Sequence, residues 1–382
     1  MVQRFAVWCA LIGCVAGCAT TATPKRPVVL DERGVVVSEL IFPADQRDVV
    51  LPLKPDGALL VTNDVRINGQ HVGEFIIDTG AMCSALDREA AQKLGLIPGK
   101  RLRDMKDSKL RRPDGLYHID SLDIGGGAGS SSKTQPVAGS EGGATTQPVA
   151  GGGGGGGGGG AMTQPTSGGG ISIRNHVIAV VDLSSVRRRN RPNLAGVLGA
   201  DVWAMMPFTV DCRARELVFH ARPQFHPPSA DRAVRSSMTV ARELKAPAPF
   251  SMANPRAGAP SVPVTINGGT TDAMLDTGSG SSIVLLPRLV AQRPELVRGD
   301  RFVARAAGAG GAAGLAGFGL VGANVETFDA LGVRFTDIDS ALAIIDDMPN
   351  DRRSSAIVGT RLLTHLRLTF DYANEKVWAE VK

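Results

Sequence analysis

Apolar positions along the chain gather in short β-favouring runs separated by turn residues, and these runs occur twice in the same order. Residues 59–81 read LLVTNDVRINGQHVGEFIIDTGA, and residues 261–279 read SVPVTINGGTTDAMLDTGS. Each predicts a strand, a hairpin turn at Asn-Gly (Asn68 and Gly69; Asn267 and Gly268), a second apolar strand, and then Asp-Thr-Gly. A second matching pair follows, LAGVLGADVWAMMPFTVDCRARELVF at 194–219 and AIVGTRLLTHLRLTFDYANEKVWAEV at 356–381. Both predict an apolar run into Gly, a short helical piece, a strand ending near Asp, a turn and a last strand.

Between these blocks the composition changes. Residues 124–170 carry TQPVAG twice, at 134 and 146, and ten consecutive glycines at 151–160. Such a stretch cannot bury enough apolar surface to offset its chain entropy, so a solvent-exposed insertion is expected. YHIDSLDIGG before it and ISIRNHVIAVVDL after it both alternate like strands, as if it were spliced into a β-connection. With the insertion discounted, the two halves have nearly the same length. Proline and polar residues concentrate at 223–257, which predicts a linker; SSMTVARELK within it reads as a strand or a short helix. The expected organisation is a tether with an edge strand over 18–54, a first lobe over 55–222, the linker 223–257, and a second lobe over 258–382.

The N-terminal stretch MVQRFAVWCALIGCVAGC has one early cation, Arg4, then an apolar run and a small-residue end. It falls short of the roughly 20 residues of a membrane-spanning helix and reads as an export signal over 1–17. Its ending VAGC resembles the lipobox of bacterial lipoproteins. The resemblance implies cleavage before Cys18, acylation of its thiol, and a chain held at a membrane surface in the cell envelope. Ala19 in place of Asp favours the outer membrane where a cell has two.

Charge and composition exclude more than they assign. The net charge of +5 on 382 residues comes with no basic helix, nucleic-acid motif or aromatic stacking platform, so no nucleic-acid partner is expected. RRRNR at 187–191 reads as a solvated loop, with an anionic surface or substrate as the second reading. Aromatic residues are only 4%, so the core is expected to be mainly Val, Leu, Ile and Ala. Once Cys9, Cys14 and Cys18 are set aside, Cys83 and Cys212 remain, and either one disulfide or two thiols fits them. No Cys/His cluster has metal-ligand spacing, so neither metal nor cofactor is expected.

The doubled Asp-Thr-Gly resembles the retropepsin-like aspartic proteases, and in one chain it is similar to the pepsin-type enzymes. That family also carries two apolar residues, Gly, any residue, then Asp or Asn. Val197-Leu198-Gly199-Ala200-Asp201 matches, while Ile357-Val358-Gly359-Thr360-Arg361 departs at its last place. The resemblance implies an all-β fold of two β-barrel lobes in a pepsin-like bilobal arrangement. It also implies an aspartic endopeptidase with Asp78 and Asp276 as its catalytic pair and a polypeptide as its substrate. Such hydrolysis uses one carboxylate to take a proton from water and one carboxylic acid to protonate the carbonyl oxygen. Because one chain supplies both, a monomer with intramolecular lobe pairing is expected.

Within the motifs, Thr79 and Thr277 are expected to bridge the lobes through their hydroxyls. Gly80 and Gly278 are expected to let backbone N–H groups reach the carboxylates. At the next position Ala81 offers no donor, whereas Ser279 is expected to donate to Asp276, leaving Asp276 ionised and Asp78 protonated. Residues 101–118 and 304–318 lie where the family covers its cleft. Tyr117 is read as a packed strand residue before a flap residue, and Trp203 and Trp378 as core. His71, His118 and His176 look isolated, which argues against a serine-type triad. The alternative function is a non-catalytic lipoprotein serving as an envelope scaffold or peptide-binding module; two retained carboxylates argue for the enzyme.

Overall fold

A computed structural model describes residues 38–56, 59–96, 115–126, 169–184, 186–187, 191–241, 258–305, 319–336, 338, 340–345 and 354–381. The N-terminal part runs β1 (Glu39–Ile41), β2 (Asp48–Pro52), β3 (Lys54–Asp56), β4 (Leu59–Ile67), β5 (Gln70–Ile77), β6 (Ala85–Asp87) and helix α1 (Arg88–Lys93). It continues through β7 (Gly115–Ile124), β8 (Ile171–Val181), β9 (Leu194–Leu198), α2 (Ala200–Trp203), β10 (Phe208–Asp211) and β11 (Glu216–His220). Two short strands follow, β12 (Val234–Ser237) and β13 (Thr239–Ala241). The second part runs β14 (Ala259–Ile266), β15 (Gly269–Asp276), β16 (Ile283–Leu285), α3 (Pro287–Gln292), β17 (Val297–Arg305) and β18 (Gly319–Ala323). It closes with β19 (Thr327–Ala330), β20 (Val333–Thr336), β21 (Leu342–Ile344), β22 (Ala356–Gly359), α4 (Thr360–Leu363), β23 (Leu366–Asp371) and β24 (Lys376–Val381).

The fold is all-β, with two lobes built on one repeated plan. Both Asn-Gly pairs form the predicted tight turns, with positive φ at Asn68 (51°), Gly69 (76°), Asn267 (44°) and Gly268 (78°). The asparagines also reach sideways. Asn68 Oδ1 accepts from the N–H groups of Asp120 and Ser121 at 2.8 and 3.1 Å, and Asn267 Oδ1 accepts from those of Glu326 and Thr327 at 2.8 and 2.9 Å. Each hairpin is thereby pinned to the strand that crosses it, β7 in one lobe and β19 in the other.

Among the described residues, the first lobe is an eight-stranded sheet in which β5 lies beside β9, and the second a ten-stranded sheet in which β15 lies beside β22. Residues on either side of the glycine-rich insertion form a long antiparallel hairpin, β7 with β8, in which Ile124 is registered opposite Ile171. The insertion therefore enters and leaves at one hairpin end, while 127–168 lie outside the described residues. Within SSMTVARELK the described residues contribute strand, with β12 covering 234–237 and β13 covering 239–241, while 242–245 lie outside the described residues.

A third, six-stranded sheet joins the lobes in the order β12-β24-β23-β10-β11-β2. At its centre β10 of one lobe pairs with β23 of the other, and Thr209 faces its own counterpart, Thr369, with their hydroxyls 2.8 Å apart. Several of the scarce aromatics meet at this sheet. Trp203 packs on Phe208 and Phe219 at centroid distances of 5.0 and 6.1 Å, and Phe208 stacks on Phe370 across the lobe boundary at 4.9 Å. Burying each such ring contributes about 1.5–3 kcal/mol, and the Phe208–Phe370 stack places part of that burial at the lobe boundary.

Candidate active site

Two parallel strand pairs present the two aspartates. In the first lobe Ile77 is registered with Leu198 and the Asp78 N–H donates to Leu198 C=O at 3.1 Å; in the second Asp276 itself is registered with Gly359. The loop after each aspartate then folds back onto the glycine that ends the partner strand. Ala200 N–H donates to Ala81 C=O and Thr360 N–H to Ser279 C=O, both at 2.8 Å. A Cβ on Gly199 would collide with the backbone of Cys83 and Ser84, and one on Gly359 with that of Ser279 and Ser281. The apolar-apolar-Gly element is thus required by close packing against the aspartate loop.

Thr79 and Thr277 cross between the lobes. Thr79 N–H donates to Thr277 Oγ1 and Thr277 N–H to Thr79 Oγ1, each at 3.1 Å. Each hydroxyl in turn donates across the boundary, Thr79 to Leu275 C=O and Thr277 to Ile77 C=O, both at 2.7 Å. These four bonds are buried and related by a two-fold axis, and they fix the two Asp-Thr-Gly turns face to face.

The glycines serve a purpose beyond freeing backbone donors. A Cβ on Gly80 would lie 2.5 Å from the carboxyl carbon of Asp276, and one on Gly278 closer still to that of Asp78. Each glycine leaves room for the other lobe's carboxylate. Asp78 and Asp276 consequently face each other at 1% and 5% exposure. Asp78 Oδ1 accepts from Ala81 N–H at 2.8 Å, while Oδ2 meets no donor among the described residues. What this carboxyl faces is another acceptor, so a hydrogen bond between the two requires one shared proton.

Burial and then the charge of Asp276 push the Asp78 carboxyl well above the usual carboxylate range. Burial also raises Asp276, but the hydrogen bond from Asp78 and the main-chain N–H groups of Gly278, Ser279 and Gly80 oppose the rise. Both carboxyls are raised, the main-chain donors around Asp276 favour charge on that side, and the titration belongs to the pair.

The expected source of this asymmetry needs correction. Ser279 Oγ is paired with Ser281 Oγ at 2.7 Å, and Ser279 favours the ionised Asp276 through its main-chain N–H. Nor is Ala81 without a donor, since its N–H holds Asp78. Trp203 is core as expected, yet its Nε1–H also donates to Asp78 C=O at 2.9 Å. Tyr117 and Trp378 are both buried in strands. Most of 101–118 and 304–318 lies outside the described residues, as does Cys18.

Histidine 176 is not isolated. Its Nε2 lies 3.1 Å from Asp201 Oδ2, and Asp201 Oδ1 accepts from the Ser84 N–H at 2.8 Å and the Ser84 hydroxyl at 2.7 Å. The second lobe, with Arg361 at the position of Asp201, manages otherwise: the Thr360 hydroxyl donates to Ser279 C=O at 2.9 Å and Ser282 pairs with Ser340. In RRRNR, Arg187 is engaged with Asp87 and Glu89 rather than simply solvated. Cys83 and Cys212 are not joined in a disulfide, and burial pushes the Cys212 thiol up to about 12. Among the described residues no group of three or more His, Cys, Asp or Glu is placed to hold a metal ion.

Two repeated lobes, a shared sheet and facing Asp-Thr-Gly turns make this a pepsin-like bilobal fold. A family model described as aspartyl protease matches residues 63–133, the stretch that contains Asp78. Among solved structures, basic 7S globulin from soybean is similar at 12% identity and TM-score 0.43, over 88% of this chain and 95% of that one. Conglutin gamma, a basic 7S globulin from lupine seeds, is similar at 9% identity and TM-score 0.44, over 88% and 95%. A structure titled edgp is similar at 11% identity and TM-score 0.44, over 87% and 94%. Comparison with curated proteins gave no match.

Two outcomes follow from this geometry. Thr277→Val leaves the Thr79 N–H and the Ile77 C=O buried without their partner, and should cost about 2–5 kcal/mol in urea unfolding, while Thr277→Ser should restore most of it. Equal stability of the Val and Ser variants would contradict the bridging role. For Asp78, a carboxyl whose value is raised by folding binds its proton more tightly in the fold. The stability this contributes is present below the unfolded value of about 3.9 and is lost as pH rises through the folded value. Asp78→Asn should therefore raise stability at pH 7 by about 1 kcal/mol or more and give no gain near pH 3; a pH-independent effect would contradict it.

Proposed function

We propose that the chain is an aspartic endopeptidase, exported and anchored to a membrane surface by lipid on Cys18. The observation that carries the reading is the pair of opposed, buried carboxyls, both raised by burial and close enough to share a proton; in this reading Asp78 holds that proton and Asp276 the charge. A scaffold gains nothing from two such groups in contact, because their mutual repulsion and desolvation destabilise the fold.

In the reaction, a water between the carboxyls loses a proton to Asp276 as its oxygen attacks the carbonyl carbon of the peptide bond. Asp78 gives its proton to the carbonyl oxygen, so the intermediate is a neutral diol. When that diol collapses, Asp276 passes its proton to the departing nitrogen, the C–N bond breaks, and Asp78 recovers the proton from the diol. Protons balance over the cycle, and one water is consumed. The crossed threonines keep both carboxyls at one separation throughout, which limits reorganisation at the moment of reaction. Both carboxyls come from one chain, so the proposed enzyme is complete as a monomer.

The direct test is digestion of a denatured protein mixture between about pH 3 and 7 by the parent, Asp78→Asn and Asp276→Asn. The parent should release peptides and each variant should lose at least about a thousandfold in rate, as expected when a partner in proton transfer is removed. Persisting cleavage in either variant contradicts a shared dyad. Anchoring is tested by incorporation of a labelled fatty acid, which should occur in the parent and vanish in Cys18→Ala; equal labelling of the two contradicts it.

A further inference from the structure

The first lobe supports its aspartate loop by a buried ionisable network that has no counterpart among the described residues of the second. Asp201 sits at the start of α2, two residues past Gly199, and Ser84 lies in the loop that follows Asp78. The Asp201 carboxylate takes both the N–H and the hydroxyl of Ser84 on Oδ1, together with Val202 N–H at 3.0 Å. Ser84 Oγ in turn accepts from Gly199 N–H at 3.0 Å, and the residue before that glycine, Leu198, accepts the N–H of Asp78. Asp201 is thus the hub that locks the aspartate loop to the strand beside it.

A hub of this kind has to be oriented. With Oδ1 engaged three times, Oδ2 faces β8, where it meets His176 at 2% exposure. A carboxylate only accepts, so Nε2 carries the proton of that bond. The other ring nitrogen, Nδ1, lies 3.1 Å from the Ser38 hydroxyl, just before β1, whose one proton is divided between this nitrogen and the Asn175 C=O, also at 3.1 Å. At the same distance from its own glycine, the second lobe has the exposed Arg361, and hydroxyl pairs replace the carboxylate.

We infer that His176 is a positioning residue for the first lobe: by fixing Asp201 it sets the loop that presents Asp78. It touches neither the dyad nor a substrate, and its effect passes through Asp201 and Ser84. The inference rests on the proposed peptidase for its kinetic consequence, but its structural consequence is measurable without it.

The test compares His176→Gln with His176→Asn in the full chain. A Gln amide reaches the place of Nε2 and keeps a donor for Asp201, whereas an Asn amide reaches only the place of Nδ1. Amide hydrogen exchange is followed in peptides covering 78–84 and 276–282, alongside kcat and KM on one peptide substrate. The Gln variant should keep parent-like exchange and a kcat within about threefold of the parent. The Asn variant should exchange faster in 78–84 but not in 276–282, and lose about tenfold or more in kcat with KM little changed. Matching exchange and kcat in the two variants overturn the inference. Should the Asn variant not fold, Ser84→Ala removes the hydroxyl that Asp201 holds. Loosening confined to 78–84 then supports the inference, and parent-like exchange there overturns it. A parent without peptidase activity defeats the proposed function alone, since the exchange contrast stands or falls independently.

Discussion

Everything at the centre of this molecule depends on two threonines that each hydrogen-bond to the other's turn. Thr79 and Thr277 are separated by 198 positions in sequence, yet the N–H of each donates to the hydroxyl of the other, and each hydroxyl continues to a carbonyl in the opposite lobe. Such a closed set tolerates little displacement, because shifting one turn breaks four buried bonds together. The glycines follow from it. Once the turns are this near, each carboxylate occupies the space where the opposing residue would place a Cβ, so only Gly80 and Gly278 fit. Carboxyl contact follows in its turn, and with it the coupled titration of the pair.

The same two-fold axis reappears in the sheet beneath. Thr209 and Thr369 are counterparts in the repeat and meet each other at the β10–β23 pairing, while Phe208 stacks on Phe370 beside them. Trp203 ties this floor to the site, with its ring in the aromatic cluster and its indole N–H on the carbonyl of Asp78. Axial threonine pairs and a shared aromatic floor therefore act on one degree of freedom, the separation of the lobes. Holding that separation fixes the environment that keeps one proton between two acids.

How much of this is legible in the sequence depends on the range of the interaction. The doubled order of strand, Asn-Gly, strand and Asp-Thr-Gly was readable because hairpin turns and strand periodicity are local, and both Asn-Gly pairs adopt the expected positive φ. The facing of the two aspartates was readable only because the pattern occurs twice. By contrast, Ser279 next to Asp276 invites a side-chain hydrogen bond, but Ser281 two residues on competes for the hydroxyl. His176 looks solitary because its partner lies 25 positions away and on a different element. Arg187 likewise meets Glu89 across 98 positions, and nothing local distinguishes it from the arginines that follow it. Adjacency in sequence ranks possible partners poorly once several polar groups compete for one atom.

The two lobes also differ in a way that symmetry explains. Residues on the axis touch their own counterparts, so a change in one lobe alters both halves of a contact; Thr79 with Thr277 and Thr209 with Thr369 are alike. The loops that carry the aspartates are supported from within their own lobes, and there the two solutions differ. Asp201 with Ser84 and His176 supports one loop, while Thr360, Ser281 and the Ser282–Ser340 pair support the other. The departure of Arg361 from the apolar-apolar-Gly-x-Asp pattern is then no sign of a failing second lobe. What the site requires of each lobe is a rigid backbone behind Gly199 or Gly359, and that backbone packing is retained in both. The supports differ in charge, yet what acts on the two carboxyls is nearer at hand, namely burial, each other and the main-chain N–H groups of their own turns, so the facing geometry is indifferent to how each loop is held from behind.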